Sequence, residues 1–152
     1  MSMMHKNLKD NLFVAIQFML FGIFFLRINL GNLLPNFFKI PGIILFVFGS
    51  FIVFVSILQL DKNLTAFPTP KDKAELYTGG LYQFARHPIY TGVIFTFLGM
   101  SLFWLSWYKI LITIILIILF WFKSTYEESQ LIQKFPNYLD YKKTTPRFFP
   151  GF

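Results

Sequence analysis

Three strings of residues hold most of the polar chemistry of this chain. The first runs from Leu76 to Gly92 and places a guanidinium, Arg86, and an imidazole, His87, directly before Pro88. Proline is tolerated in the first turn of a helix because the N–H it lacks has no partner there. Arg86 and His87 are therefore expected where a helix begins, either as a headgroup contact and a helix cap or as parts of a polar site. The second string is Glu127-Glu128-Ser-Gln-Leu131. Two carboxylates beside a helix C-terminus are disfavoured by the helix dipole, so either the helix continues to about Lys134 or the acids face cations. The third string, Tyr138-Leu-Asp-Tyr141 through Pro146-Arg147-Phe-Phe-Pro150, contains two prolines and is expected to be a shaped, extended tail.

Several chemistries are excluded. The chain has no cysteine, so there is no disulfide, cysteine zinc site or cysteine nucleophile, and two histidines leave no evident metal site. No Gly-x-Gly-x-x-Gly follows a strand pattern, so a soluble dinucleotide-type cofactor fold is not indicated.

The elements that must position these strings are apolar. Of 152 residues, 55% are hydrophobic, 14% are charged and 22 are phenylalanine. A small water-soluble domain has too little interior to hide so much apolar surface. Uncharged runs cover Asn11–Leu26, continuing beyond Arg27 to Phe38, then Ile40–Leu60, Pro88–Tyr108 and Ile110–Phe122. About 20 helical residues cross a bilayer core of about 30 Å. The second and third runs meet that length; the first needs Arg27 to snorkel, and the fourth needs anchoring by Trp107, Tyr108, Lys109 and Lys123. The expected fold is an all-α integral membrane protein of about four transmembrane helices, forming one domain over 1–152. Within it, 1–60 is an N-terminal helix pair and 61–152 carries the chemistry. The polar N-terminus does not fit a cleaved signal peptide, so the first helix is expected to be retained.

The net charge is +7, but the basic residues punctuate apolar runs and form no basic amphipathic helix. They fit topology signals and lipid headgroup contacts, with no nucleic-acid partner. Grouping alternate segments puts eleven basic residues on one side and three on the other. The positive-inside rule then places both termini, and the segments 61–87 and 123–152, in the cytoplasm. Those segments hold six of the seven acidic residues. The expected location is an inner or plasma membrane, bacterial or organellar, with the polar face cytoplasmic.

Taken together, Gly80-Leu-Tyr82, Arg86-His-Pro-Ile-Tyr90-Thr-Gly92, Glu127-Glu-Ser-Gln-Leu131, Tyr138-Leu-Asp-Tyr141 and Arg147-Phe-Phe-Pro150 form an ordered set. The set resembles the isoprenylcysteine carboxyl methyltransferase family of integral-membrane methyltransferases, which is similar to the phospholipid N-methyltransferases. The resemblance covers about residues 60 to 150. It implies S-adenosylmethionine (SAM) as cofactor, with Leu76, Tyr77, Tyr82, His87, Pro88 and Tyr90 lining its pocket and Glu127 facing the ammonium of its methionine portion. It further implies Arg147, Glu128 and Lys123 as catalytic residues, and a lipophilic small molecule or lipid as methyl acceptor. In the eukaryotic carboxyl methyltransferases an arginine one turn before the glutamate pair faces the substrate. This chain has Lys123 there, which cannot make an arginine's bidentate fork to a carboxylate. A phospholipid amine is the alternative acceptor. A non-enzymatic small membrane protein or transporter component is the alternative of another class.

Overall fold

The computed structural model describes residues 8–28, 34–149 and 151. Among these residues the chain forms five α-helices and no strand: α1 Leu8–Phe24, α2 Lys39–Leu60, α3 Pro88–Phe103, α4 Trp107–Lys134 and α5 Tyr138–Thr144. Short 3-10 turns at Asn36–Phe38 and Asp61–Asn63 flank α2, and another at Gly80–Gln83 precedes α3.

Two helical segments, Asn36–Asn63 and Trp107–Lys134, are long and apolar enough to cross a membrane. Four were expected. Helix α1 has 17 residues and α3 has 16, so both fall short. The apolar run Pro88–Tyr108 contains a turn that its composition conceals. Helix α3 stops at Phe103, Leu105 turns the chain at a φ of 53°, and Ser106 caps α4 by accepting from the Lys109 amide at 3.4 Å. Conversely, the 13-residue apolar run 110–122 is the middle of a helix of 28 residues. That helix continues through the glutamate pair to Lys134.

The bundle is assembled from antiparallel neighbours. Helices α2 and α3 meet backbone to backbone at two glycine pairs, Gly42 with Gly99 and Gly49 with Gly92. A Cβ on Gly99 would lie 2.4 Å from the Phe46 amide nitrogen, and one on Gly49 would lie 2.5 Å from that of Thr96. Small residues permit this approach, which is how helices associate when lipid offers no hydrophobic driving force. Helices α3 and α4 form a hairpin, with Ser101 and Thr113 hydroxyls 3.2 Å apart inside it. Helix α1 runs antiparallel to α4. At one end the Tyr108 hydroxyl donates to the Ile23 carbonyl at 2.6 Å, and the Lys109 ammonium donates to that of Phe24. Towards the other, Phe13 stacks on Tyr126 with centroids 5.9 Å apart.

The core where α1, α3 and α4 meet contains Leu20, Phe24, Ile94, Phe97, Ile112, Leu116 and Phe120. The outer face of α2 is different: Ile40, Ile44, Val47, Phe51 and Phe54 are all more than half exposed. Of the 22 residues of α2 only Gly42, Gly49, Ile52 and Ser56 are buried, the reverse of a soluble core helix, and such a face suits a lipid solvent.

The connection 61–87, the last turns of α4, α5 and the tail gather at one end of the bundle. The tail was expected to be extended from Tyr138 onward, but Tyr138–Thr144 is helical. A proline biases the residue before it away from helix. That restriction acts at Thr145, which is extended at φ −123° and ψ 128°, and leaves the seven residues before it free to form a helix.

Candidate active site

The motif segments converge at this polar end. Pro88 occupies the first turn of α3, and His87 before it has φ −126° and ψ 63° with no side-chain capping bond. The imidazole instead turns inward and is 6% exposed. It lies parallel to the Tyr90 ring at 5.4 Å, and Tyr90 lies parallel to Phe120 at 4.6 Å. The stack fixes the Tyr90 hydroxyl, which donates to Glu127 Oε2 at 2.8 Å. His87 Nε2 is 3.2 Å from Glu128 Oε1, and Nδ1 is 3.8 Å from Glu127 Oε2.

Glu128 is the hub of a buried charge cluster. Arg86 reaches its Oε1 through Nε at 2.9 Å and Nη2 at 2.8 Å. Lys142 and Arg147 reach Oε2 at 3.0 and 3.5 Å. Arg86 also donates through Nη1 to the carbonyls of Lys142 and Thr145. Its side chain is 7% exposed, so it is an internal tie rather than the headgroup contact expected on one reading of the sequence. The tail is bound along its backbone as well: the Arg86 and His87 amides donate to the Pro146 and Arg147 carbonyls at 2.9 and 3.1 Å. Arg147 itself packs over the Trp121 ring at 4.4 Å and donates to the Thr125 hydroxyl at 2.8 Å.

A cavity of about 360 Å³ opens beside this cluster, within the roughly 300–1,000 Å³ of small-molecule sites. One wall is the connection after α2, including Asn63, Ala66, Pro70, Leu76 and Tyr77. Asn63 closes that connection on itself, donating to the Glu75 carbonyl at 2.9 Å and accepting from its amide at 3.1 Å. The opposite wall is His87, Tyr90, Lys123, Glu127 and Leu131. Tyr82, Tyr138 and Tyr141 close a third side. Gly80 sets the direction of that side: its φ is 56°, and the next amide, of Leu81, donates to Gln59 at 2.9 Å. The Tyr141 hydroxyl in turn donates to the Tyr82 carbonyl. Burial pushes the Tyr82 and Tyr141 phenols well above the ordinary tyrosine range, with the Glu127 charge adding to it at Tyr82, so both stay neutral.

Of the residues singled out from the sequence, Leu76, Tyr77, Tyr82, His87, Tyr90, Glu127 and Lys123 line the cavity. Pro88 does not. It faces a separate apolar groove of about 210 Å³ formed with Phe48, Phe51, Phe84 and Phe149. Glu128 and Arg147 lie behind the cavity wall in the charge cluster. Reasoning from sequence missed Gln17 of α1, whose amide oxygen accepts from Lys123 Nζ at 2.6 Å. The only signal was a polar residue inside an apolar run.

The cavity suits SAM on three observations. Its walls are largely aromatic and apolar, as an adenine requires. Its polar groups include a carboxylate, Glu127, and an ammonium, Lys123. The Tyr138 hydroxyl is buried at its edge with no hydrogen-bond partner among the described residues. No group of histidine and acidic residues suited to a metal ion occurs among them.

No match to the chain is found among curated proteins. Residues 37–137, about two thirds of the chain, match the phospholipid methyltransferase family. The match includes α2, outside the motif-bearing part, and ends just before Tyr138. This family of integral-membrane methyltransferases includes the isoprenylcysteine carboxyl methyltransferases, so membership supports membrane methyl transfer in general, with SAM as the usual donor. The chain belongs to the phospholipid methyltransferase family.

Proposed function

We propose that this protein binds SAM in the cavity between the connection after α2 and the Tyr90–Glu127 wall, and methylates a lipophilic acceptor. The observation that carries this reading is that Tyr82, His87, Tyr90, Glu127, Tyr138 and Tyr141, from four of the motif segments, line one cavity at one end of an apolar bundle. The cofactor would supply a methyl group on a sulfonium, already a good leaving group, so little acid–base chemistry is asked of the protein. Its residues bind, orient and keep water away. Glu127, held by the Tyr90 hydroxyl at 2.8 Å, would take the ammonium of the methionine portion as a charge-assisted partner. His87, locked between Tyr90 and Glu128, shapes the wall. Glu128, Lys142 and Arg147 position that wall from behind, and Arg86 on the wall ties it to Glu128. The apolar groove beside Pro88 and Phe149 suits the hydrocarbon part of the acceptor.

A phospholipid amine is the better-supported acceptor. A carboxylate acceptor asks for a bidentate guanidinium on the cavity wall. Arg86 reaches the wall, but it is engaged by Glu128 and two carbonyls, and the remaining cation, Lys123, is a point charge.

Four crossings remain the reading that best joins sequence and fold. Helices α1 and α3 are about 25 Å long at 1.5 Å per residue, and both pack alongside the two longer spans. The charge asymmetry then puts the polar end in the cytoplasm, where SAM is available.

The test is thermal stabilisation of the detergent-solubilised protein by SAM or S-adenosylhomocysteine. A rise in unfolding temperature that grows with ligand concentration supports the reading; none at millimolar ligand overturns it.

A further inference from the structure

Lys123 carries a buried charge that no carboxylate contacts directly: Glu127 and the buried Asp10 of α1 act on it only from beyond ion-pair distance. The residue is 1% exposed, and its ammonium donates to the Gln17 side-chain oxygen at 2.6 Å and the Ala66 carbonyl at 2.9 Å, both neutral acceptors. It makes no ion pair among the described residues. An ammonium has three donors, so one remains for another partner, and a desolvated cation is costly until an anion meets it.

Lys123 and Glu127 are four residues apart on α4 and therefore neighbours on one face of the helix. Both line the cavity, yet they form no ion pair with each other. Glu127 is engaged by the Tyr90 hydroxyl, and Lys123 is drawn towards α1 by Gln17. The wall thus holds a cation and an anion one helical turn apart, each with capacity left. A free amino-acid end, with its ammonium and carboxylate on one carbon, is the ligand group that satisfies both.

The geometry points to Lys123, oriented by Gln17, as the residue that binds the α-carboxylate of the methionine portion of SAM, while Glu127 binds its ammonium. This rests on the reading that the cavity holds SAM. It turns Lys123 from a catalytic residue facing the acceptor into a cofactor-binding one. It also gives α1, which carries none of the sequence motifs, a positioning residue in the cofactor site.

Two soluble probes separate the contributions. S-adenosylhomocysteine carries the whole amino-acid end, whereas 5′-methylthioadenosine lacks it. Affinities are measured by calorimetry on the purified full-length protein in detergent, for the native chain and for Lys123→Met and Lys123→Gln. The native protein is expected to bind S-adenosylhomocysteine more tightly. Both variants should lose about ten- to a hundredfold of that affinity, as for a charged hydrogen bond, while binding methylthioadenosine within about twofold of native. Lys123→Arg should recover part of the loss.

Unchanged affinity for S-adenosylhomocysteine overturns the inference and returns Lys123 to the acceptor side. An equal loss of both ligands also overturns it, because the cavity is then deformed rather than deprived of a contact. If Lys123→Met does not fold, Lys123→Gln keeps polar contact with Gln17 while removing the charge, and decides alone. Failure of the native protein to bind either probe refutes the cavity reading itself, a distinct result.

Discussion

Arg86 grips a single oxygen of Glu128 twice, through Nε at 2.9 Å and Nη2 at 2.8 Å, with both side chains buried. Removing one partner of a buried ion pair costs more than the pair contributes, because the other charge is left uncompensated, here with Lys142 and Arg147 beside it. Glu128→Ala is therefore expected to destabilise the protein by about 3–5 kcal/mol. Lower thermal stability in the absence of any ligand is the signature; a native unfolding temperature would show that the cluster contributes nothing to stability.

Glu127 is one residue away and predicted to behave in the opposite manner. Successive residues on a helix point about 100° apart, so Glu127 faces the cavity while Glu128 faces the tail. Glu127→Gln keeps the shape, and its oxygen can still accept from Tyr90. The expected result is a near-native unfolding temperature with cofactor affinity weakened about ten- to a hundredfold, as for loss of one charge-assisted hydrogen bond. Native affinity for S-adenosylhomocysteine in a folded variant would remove Glu127 from the site.

This contrast shows what the sequence could and could not reveal. The adjacent glutamates were legible as a pair with unusual charge, but their division of labour depends on the direction each takes from α4. The start of α3 was legible because Pro88 announces it. The end of α3 was not: the turn Trp104-Leu105-Ser106 contains no glycine or proline, and Leu105 adopts a positive φ that its type does not suggest. Lys123 could be singled out by position, whereas its partners Gln17 and Ala66 lie 106 and 57 residues away and carry no local signal. The helix over Tyr138–Thr144 was hidden by giving Pro146 more reach than its one-residue restriction has.

His87 separates capping from site function. A cap would be preserved or improved in His87→Asn, since asparagine is among the best capping residues. The imidazole makes no capping bond, however, and is held between Tyr90 and Glu128. The variant loses the ring stack, about 0.5–1.5 kcal/mol for such a pair, and releases Tyr90 from its set direction. Cofactor affinity should fall by a few-fold to about tenfold while the protein still folds. Full activity of His87→Asn, assayed with a lipid extract and labelled SAM, would exclude the histidine from the site.

Orientation is tested by fusion. With eleven basic residues on one side and three on the other, the positive-inside rule predicts the C-terminus in the cytoplasm. A reporter active only in the cytoplasm should work when fused after Phe152 and fail in the loop near Pro35. The reverse pattern would place the polar end, and with it the cavity, on the other side of the membrane.

Phe148 offers the sharpest test of the tail as a positioning element. It does not line the cavity, yet it is 1% exposed and approaches both Trp121 and the His87 ring, with centroids 6.3 and 6.1 Å apart. Its burial seats the stretch whose Pro146 and Arg147 carbonyls accept from the Arg86 and His87 amides. Truncating a buried phenylalanine costs about 3–5 kcal/mol where the site cannot collapse. A tail at the chain's edge can respond by detaching locally, at less than the global cost of unfolding. Phe148→Ala should then leave the bundle folded while His87 loses its backbone ties and cofactor affinity drops. Leu116→Ala is the control, since Leu116 is fully buried in the α1–α3–α4 core and does not line the cavity. That variant should lower the unfolding temperature with little change in cofactor affinity. If both variants lower stability alike and neither alters affinity, the tail packs against the bundle without positioning the site.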